Sequence, residues 1–346
     1  MFTTIIPTYQ RAHLLRRAIG SALGQTYRDL RVIVYDNAST DGTEAVVREL
    51  AERDSRVTYY RHPQNIGGAA NIAFAMERVA TPFFSILCDD DVVLPEFYEI
   101  ALREFDRFPS AMFVGASTLE ISEAGKIAFA PAAFWDRTGL FDASEGLRRM
   151  AGGKHPTMTT VVFRRRLVDA IGAVDPAAGA LLDLDYYIRA CREYPCAITR
   201  DVAGFFVRHA GSWTNANPSL DRDFAHIIDK AAGFPRLEAA LRAQRNFSLF
   251  HRAVTALADG DWARSLRYGQ ELREHGAIAP ACLIHTIATL ARFAPPISWS
   301  VRQAYALQLR MLGYRCVARL RRMHVRGAEN GFRDELAYFK AASTGA

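Results

Sequence analysis

The stretch Phe83-Phe84-Ser85-Ile86-Leu87-Cys88-Asp89-Asp90-Asp91-Val92-Val93-Leu94-Pro95 decides how the chain is read. An apolar run ends in three consecutive carboxylates and then resumes. Like charges clustered at the end of a buried strand are costly unless something neutralises them. A divalent cation does this well, because carboxylate oxygens are hard ligands suited to Mg²⁺ or Mn²⁺. The plainer reading is a solvated turn with an Asp capping a helix that begins near Pro95. On this stretch alone both readings stand.

Working outward, short β-rich runs alternate with helical periods. Phe2–Ile6 is expected as a strand stopping at Pro7, and Leu30–Tyr35 as a buried parallel strand. Val57–Tyr60 and Thr81–Cys88 are further strands. Helices are expected from Ala12, over Thr43–Arg53 and over Asn65–Val79. Strand–helix alternation means a doubly wound sheet, whose ligands sit beyond the carboxyl ends of the strands. Pro7-Thr8-Tyr9, Asp36-Asn37 and the Asp triplet all fall at such ends. Farther on, strands are expected at Ala111–Ile121, Thr159–Phe163 and Val202–Val207, with a helix over Ala180–Arg192. Beyond Asn215 the pattern is helical, with a hairpin over Ala253–His275.

Composition narrows the class. The chain has 346 residues, half of them hydrophobic, which suits a large globular domain or two. The opening Met1-Phe2-Thr3-Thr4-Ile5-Ile6-Pro7 lacks the basic start and apolar core of a secretory signal. Five cysteines with no CxxC pair point to a reducing cytosol and to no structural zinc. No uninterrupted apolar stretch reaches membrane-spanning length. Charge is uneven: residues 215–346 carry a net +8 and residues 1–214 a net −2. There is no GxGxxG and no GxxxxGK[ST], so dinucleotide and P-loop folds lack support.

The chain resembles a known family, the inverting GT-A glycosyltransferases of family 2. The residues that carry the likeness are Thr4-Ile5-Ile6-Pro7-Thr8-Tyr9-Gln10-Arg11, Ala22-Leu23-Gly24-Gln25-Thr26, Val32–Thr43, Asn65-Ile66-Gly67-Gly68-Ala69-Ala70-Asn71 and the Asp triplet with its Val-Val-Leu-Pro tail. Order and spacing match over residues 1 to about 100, and the likeness fades after Trp213. It implies a GT-A domain over 1–214, with a nucleotide-binding half (1–110) and an acceptor half (111–214), and an α-helical region over 215–346. It further implies that Pro7, Thr8, Tyr9, Arg11, Asn65, Gly68 and Asn71 face the donor and that Asp36 binds its base. An ionised Asp only accepts hydrogen bonds, which suits an imino donor. Counted back from Pro95, the family's first metal-motif Asp is Cys88 here. Asp90 then aligns with the cation-binding Asp, and Asp89 and Asp91 contact the sugar or complete the ligand shell.

In the acceptor half, Leu182-Asp183-Leu184-Asp185-Tyr186-Tyr187 resembles the family's base-carrying segment, with Leu182 in place of an acid. The resemblance makes Asp183 the general base, with Asp185 as the fallback. Both could instead be first-turn acids that favour the helix dipole. His209, after the last strand, resembles the family's Arg-x-His segment, which implies a place near the metal or the phosphates. Lys154-His155 and Arg164-Arg165-Arg166 read as a solvated basic face, with an acceptor phosphate as the alternative.

The implied activity is metal-dependent transfer of a sugar from a nucleoside-diphosphate donor, most often a UDP-sugar, to a carbohydrate or lipid-linked hydroxyl acceptor. Bacterial cell-surface polysaccharide or glycolipid assembly is the expected setting. Arg302, Arg310, Arg315, Arg319, Arg321, Arg322 and Arg326 alternate with apolar residues, so 300–326 is expected either to touch the inner face of a membrane or to pack within the protein. Nucleic acid is not expected, and oligomeric state is not legible. Rival readings are a sugar-phosphate nucleotidyltransferase, a two-carboxylate glycoside hydrolase and an inactive GT-A-like adaptor.

Overall fold

The computed structural model describes residues 1–209, 211–212, 220–293 and 295–344. From the start, strand and helix alternate as the apolar periods require: β1 (Phe2–Thr8), α1 (Ala12–Leu23), β2 (Leu30–Asp36), α2 (Thr43–Arg53), β3 (Val57–Arg61), α3 (Gly68–Glu77) and β4 (Phe83–Ile86). These four strands run parallel in the order β3-β2-β1-β4. Beyond β4 lie β5 (Val92–Val93), α4 (Phe97–Arg107), β6 (Phe113–Ser122), β7 (Ile127–Phe129), β8 (Gly139–Phe141), α5 (Ala143–Ala151), β9 (Val161–Arg164), α6 (Arg165–Ile171), α7 (Leu182–Cys191) and β10 (Cys196–Arg208). The sheet continues β4-β9-β6-β10-β5, with β9 antiparallel to both of its neighbours and β6 parallel to β10.

Two expected boundaries move, each for a physical reason. β1 does not stop at Pro7 but runs through it to Thr8. Pro7 lacks an N–H, and its edge faces the β4 side, where pairing has already ended at Ile5–Ile86. β4 ends at Ile86 rather than Cys88, so the acidic triplet sits in a turn closed by Asp91 N–H donating to the Cys88 carbonyl at 3.1 Å. The tail of that turn becomes β5, which the sequence reading lacked. β5 can pair with β10 because residue 204 is glycine: a Cβ there would lie 2.7 Å from the Val92 carbonyl oxygen.

Both faces of the sheet are covered. On one, Leu15, Ile19 and Ala22 of α1 pack with Val32, Val34, Phe97, Tyr98 and Phe105. On the other, Ile72 and Met76 of α3 meet Phe84, Phe163, Leu184 and Tyr187. The later helices are α8 (Leu220–Asp229), α9 (Pro235–Asp259), α10 (Trp262–Glu274), α11 (Ile278–Phe293), α12 (Pro295–Arg322) and α13 (Arg333–Thr344). The expected hairpin appears as α9 and α10. The expected boundary between 214 and 215 lies outside the described residues. The helical region shares the larger core, with Cys316, Leu320, Phe332 and Phe339 packed into the same cluster as the sheet.

Candidate functional site

The carboxyl ends of β1, β2 and β4 converge on a cleft of about 480 Å³. Pro7, Thr8, Tyr9, Arg11, Asn65, Gly68, Asn71 and Asp89 of the expected donor residues line it, as does the expected metal ligand Asp90, whereas Asp36 and Asp91 do not. Asn37, Gly67, Ile72, Cys88, Phe206 and Ser212 line it too, without having been assigned a donor role.

The β1–α1 loop is held in a single shape. Gln10 takes a left-handed φ of 56°, uncommon outside glycine. Its amide donates to Ser39 Oγ at 2.9 Å, its side-chain nitrogen donates to Thr40 Oγ1 at 2.9 Å, and its side-chain oxygen accepts from the Thr40 amide. This leaves Tyr9 44% exposed on the cleft wall. Opposite it, Asn65 accepts from Asn37 Nδ2 and from the Gly67 amide, both at 2.8 Å. Gly67 enters α3 at φ 90°, a region that costs a side chain strain. Asn71 donates to the Tyr35 carbonyl at 2.8 Å, tying α3 to β2.

Asp36 is fully buried and does not line the cleft. One oxygen accepts from the Ser39 amide at 2.9 Å, and the other from Tyr59 Oη at 2.5 Å, with Arg61 Nε 3.7 Å away. It therefore orders the corner that carries Asn37.

The acidic turn divides its three side chains among different partners. Asp89 accepts from Thr8 Oγ1 at 2.8 Å and from Arg11 Nη1 at 2.9 Å. Asp90 receives the same Arg11 nitrogen and His209 Nε2, each at 2.9 Å. Asp91 is fully buried, with one oxygen taking the Val207 amide at 3.0 Å and the other bonded by Thr159 Oγ1. It ties the turn to β10 and to the segment before β9. The downstream end is fixed by residues of the Ala22–Thr26 motif and its approach: Gln25 donates to the Leu94 carbonyl at 2.7 Å, and Ser21 Oγ accepts from the Val93 amide at 3.2 Å.

Charge is incompletely balanced here. Burial pushes the Asp89 carboxyl up to about 6; Arg11 pulls against this and Asp90 adds to it. Burial and the neighbouring Asp90 raise Asp91 well above the usual carboxylate range. Burial also raises the Cys88 thiol, helped by Asp91 and Asp90. Ligand atoms of Cys88, Asp90 and Asp91 lie within 4.8 Å of one another, the one such group found among the described residues. Besides the Cys88 thiol, the donors on offer are hard carboxylate oxygens with an imidazole beside them. That set fits Mg²⁺ or Mn²⁺, whose charge would relieve the crowded carboxylates.

The two candidate bases part company. Asp185 is buried and engaged by Arg189 Nε at 2.8 Å and Lys230 Nζ at 2.5 Å. Asp183 Oδ1 accepts the Leu184 amide at 2.7 Å. Burial raises its pKa, and the nearby His155 opposes the rise. Neither residue lines the donor cleft. Of the expected basic face, Arg164 donates to the Ala111 carbonyl and Arg165 to that of Val79, so both brace the fold. Arg319 stacks on Phe134, Arg321 donates to the Ala328 carbonyl and Arg326 pairs with Glu96. The side chains of Arg302 and Arg310 lie outside the described residues.

Comparison with known proteins bears on the family and the fold. Residues 3–172 match the model of the family described as Glycosyl transferase family 2. Over 94 residues the chain is 36% identical to a GalNAc(5)-diNAcBac-PP-undecaprenol beta-1,3-glucosyltransferase of Campylobacter jejuni, covering 27% of this chain and 30% of that protein. Over 101 residues it is 35% identical to a chondroitin synthase of Pasteurella multocida, covering 29% of this chain and 10% of that one. The matched stretch thus spans less than a third of these relatives' length. A mannosyltransferase from Pyrobaculum calidifontis, solved in complex with GDP-Man and Mn²⁺, superposes with a TM-score of 0.56 at 21% identity, over 90% of this chain and 86% of that one. S. aureus TarS in complex with UDP-GlcNAc gives 0.59 at 15% identity, over 88% and 91%. At these identities the likeness is one of fold, and it establishes the expected GT-A architecture.

Proposed function

Through residues 3–172 the chain belongs to glycosyl transferase family 2, and on that premise we propose that it transfers a sugar, with inversion, from a nucleoside-diphosphate donor to a hydroxyl acceptor. The observation that carries the reading is the division of labour in the acidic turn. Asp90 points at the cleft between Arg11 and His209, while Asp91, whose oxygens also tie the turn to β10 and to the segment before β9, lies behind it within reach of the same ion.

The donor's base belongs at the corner built by Tyr9, Asp36, Asn37 and Asn65, where an exposed ring and amide groups offer stacking and hydrogen bonds. The diphosphate belongs beside Arg11, whose planar fork matches phosphate oxygens. A divalent cation would be held by Asp90 with Asp91 and His209, and would supply Lewis-acid neutralisation of the leaving group. Asp183 accepts the acceptor hydroxyl's proton as that oxygen attacks the anomeric carbon. The bond to the diphosphate oxygen breaks, and the nucleoside diphosphate departs from the opposite face. Asp183 suits this role better than Asp185, whose oxygens are already committed to two cations.

A UDP-sugar is the first donor to test. TarS, solved with UDP-GlcNAc, and the Pyrobaculum enzyme, solved with GDP-Man, make both nucleotides worth including. The printed name of the Campylobacter relative, with its undecaprenol-linked acceptor, supports a lipid-linked acceptor here. No described helix is long and apolar enough to cross a membrane. Contact with the inner face of a membrane from the cytoplasmic side would instead run through α12, which exposes Leu307, Met311 and Tyr314 beside Arg315 and Arg322.

The deciding experiment is a thermal-shift panel of UDP and GDP with and without Mn²⁺. A ligand that binds only the folded state raises its apparent stability. UDP or GDP with Mn²⁺ should raise Tm, and Asp90→Ala should lose the metal-dependent part. No shift with any nucleotide would overturn the assignment.

A further inference from the structure

We infer that the C-terminal helix α13 positions the acidic turn, acting through Arg17. Arg17 lies on α1, behind the turn rather than in the cleft. Its Nη2 donates to the Asp90 carbonyl at 2.5 Å, and its Nη1 to Ser343 Oγ of α13 at 3.3 Å. Its guanidinium carbon sits 5.0 Å from the centre of the Phe339 ring, also on α13. Phe339 is buried and meets Phe205 of β10 at 5.5 Å, next to the cleft residue Phe206. One arginine thus joins a helix near the end of the chain to the backbone of the central carboxylate.

Asp90 is gripped at both ends. Its side chain faces Arg11 and His209, and its carbonyl faces Arg17. The direction of that carbonyl fixes the peptide plane and hence the path of the Asp90–Asp91 backbone. An arginine alone would hold it loosely, because its long side chain has many rotamers to lose. Stacking on Phe339 and the bond to Ser343 select the one rotamer that reaches the turn. Burial lowers the Arg17 pKa, while Asp91 and Asp90 pull it back up, so the cation also offsets some of the triplet's charge from behind. The helical region is then a working part of the site and not an appendage. Arg17 is a positioning residue, since its contacts run to the Asp90 backbone and to α13.

Hydrogen exchange on the full-length protein, without nucleotide or metal, tests this directly. The segment 87–94 carries amides whose protection reports on the turn: Leu87 to the Ile5 carbonyl, Asp91 to the Cys88 carbonyl and Leu94 to the Ala203 carbonyl. Arg17→Ala and, independently, Phe339→Leu should speed exchange there by about tenfold, the scale of one lost charge-assisted hydrogen bond. Exchange in β2, residues 32–35, should stay unchanged. No rise over 87–94, or an equal rise in β2, overturns the inference. The link to donor binding rests on the proposed function, and Mn²⁺-dependent UDP affinity should fall severalfold in both variants while metal-free UDP affinity holds. A wild-type protein that binds no UDP would sink the functional reading yet leave the exchange result to judge the clamp.

Discussion

Replacing Asp183 by Asn is the sharpest test of the proposed chemistry. Asn keeps the shape of Asp and an oxygen that can still accept the Leu184 amide. What it loses is the ability to take a proton. Loss of a positioned general base removes about 10²–10⁴ of rate, or about 2.7–5.5 kcal/mol at 1.36 kcal/mol per decade. Because burial raises the Asp183 pKa, wild-type kcat/KM should decline on acidification above the ordinary carboxylate range, and Asp183→Asn should flatten that limb. The stability sign is the opposite of that for a salt-bridged Asp. A raised folded pKa gives stability that is full below the unfolded pKa and is lost as pH rises through the folded one. The variant should therefore be at least as stable as wild type at pH 8. The assay is release of nucleoside diphosphate from UDP-glucose, UDP-N-acetylglucosamine and GDP-mannose, with water or lipid extract as acceptor, across pH 5–9 alongside melting curves. A folded Asp183→Asn protein that keeps more than about a tenth of wild-type turnover would refute the reasoning.

Asp185→Asn should behave in reverse, leaving Lys230 and Arg189 short of a counter-charge. Lys230 keeps Asp175 at 3.0 Å, so the loss should be about 2–3 kcal/mol, below that of a fully buried pair, read as a lower Tm with donor affinity retained. Tyr59→Phe strips a hydrogen bond from the fully buried Asp36. It should cost about 1.5–3 kcal/mol by urea denaturation, and a loss under half of that would mean water replaces the hydroxyl. In full-length protein, Leu307→Glu with Met311→Glu and Tyr314→Glu should abolish flotation with phosphatidylglycerol vesicles; unchanged flotation would remove the membrane role from α12.

The first half of the sheet was legible because its strands and helices are long enough to show a period. α2 falls on Thr43–Arg53 as read, and the Pro-Thr-Tyr, Asn-Ile-Gly-Gly and triplet motifs all reach one cleft. β5, β7 and β8 were not read, since two or three residues carry no period. Only the resemblance ranked Asp183 above Asp185; the physical distinction lies in Lys230, which approaches Asp185 from α8's end. Arg17 carried no reading of its own in the sequence, and only the return of α13 gives it its contacts. For the C-terminal arginines the sequence left membrane contact and internal packing open, and three of them are turned onto Phe134, Ala328 and Glu96.

The fate of Asp91 has a consequence for descendants of this chain. It stitches the turn to Thr159 and to Val207, one before β9 and one on β10. A lineage that lost the proposed sugar transfer could change the cleft-facing Asp90 more readily than Asp91, which it would keep for as long as it kept its shape. Survival of that third acid in a distant homologue is thus first a sign of folding, and the cleft-facing Asp89 and Asp90 are the acids to compare for enzymatic life.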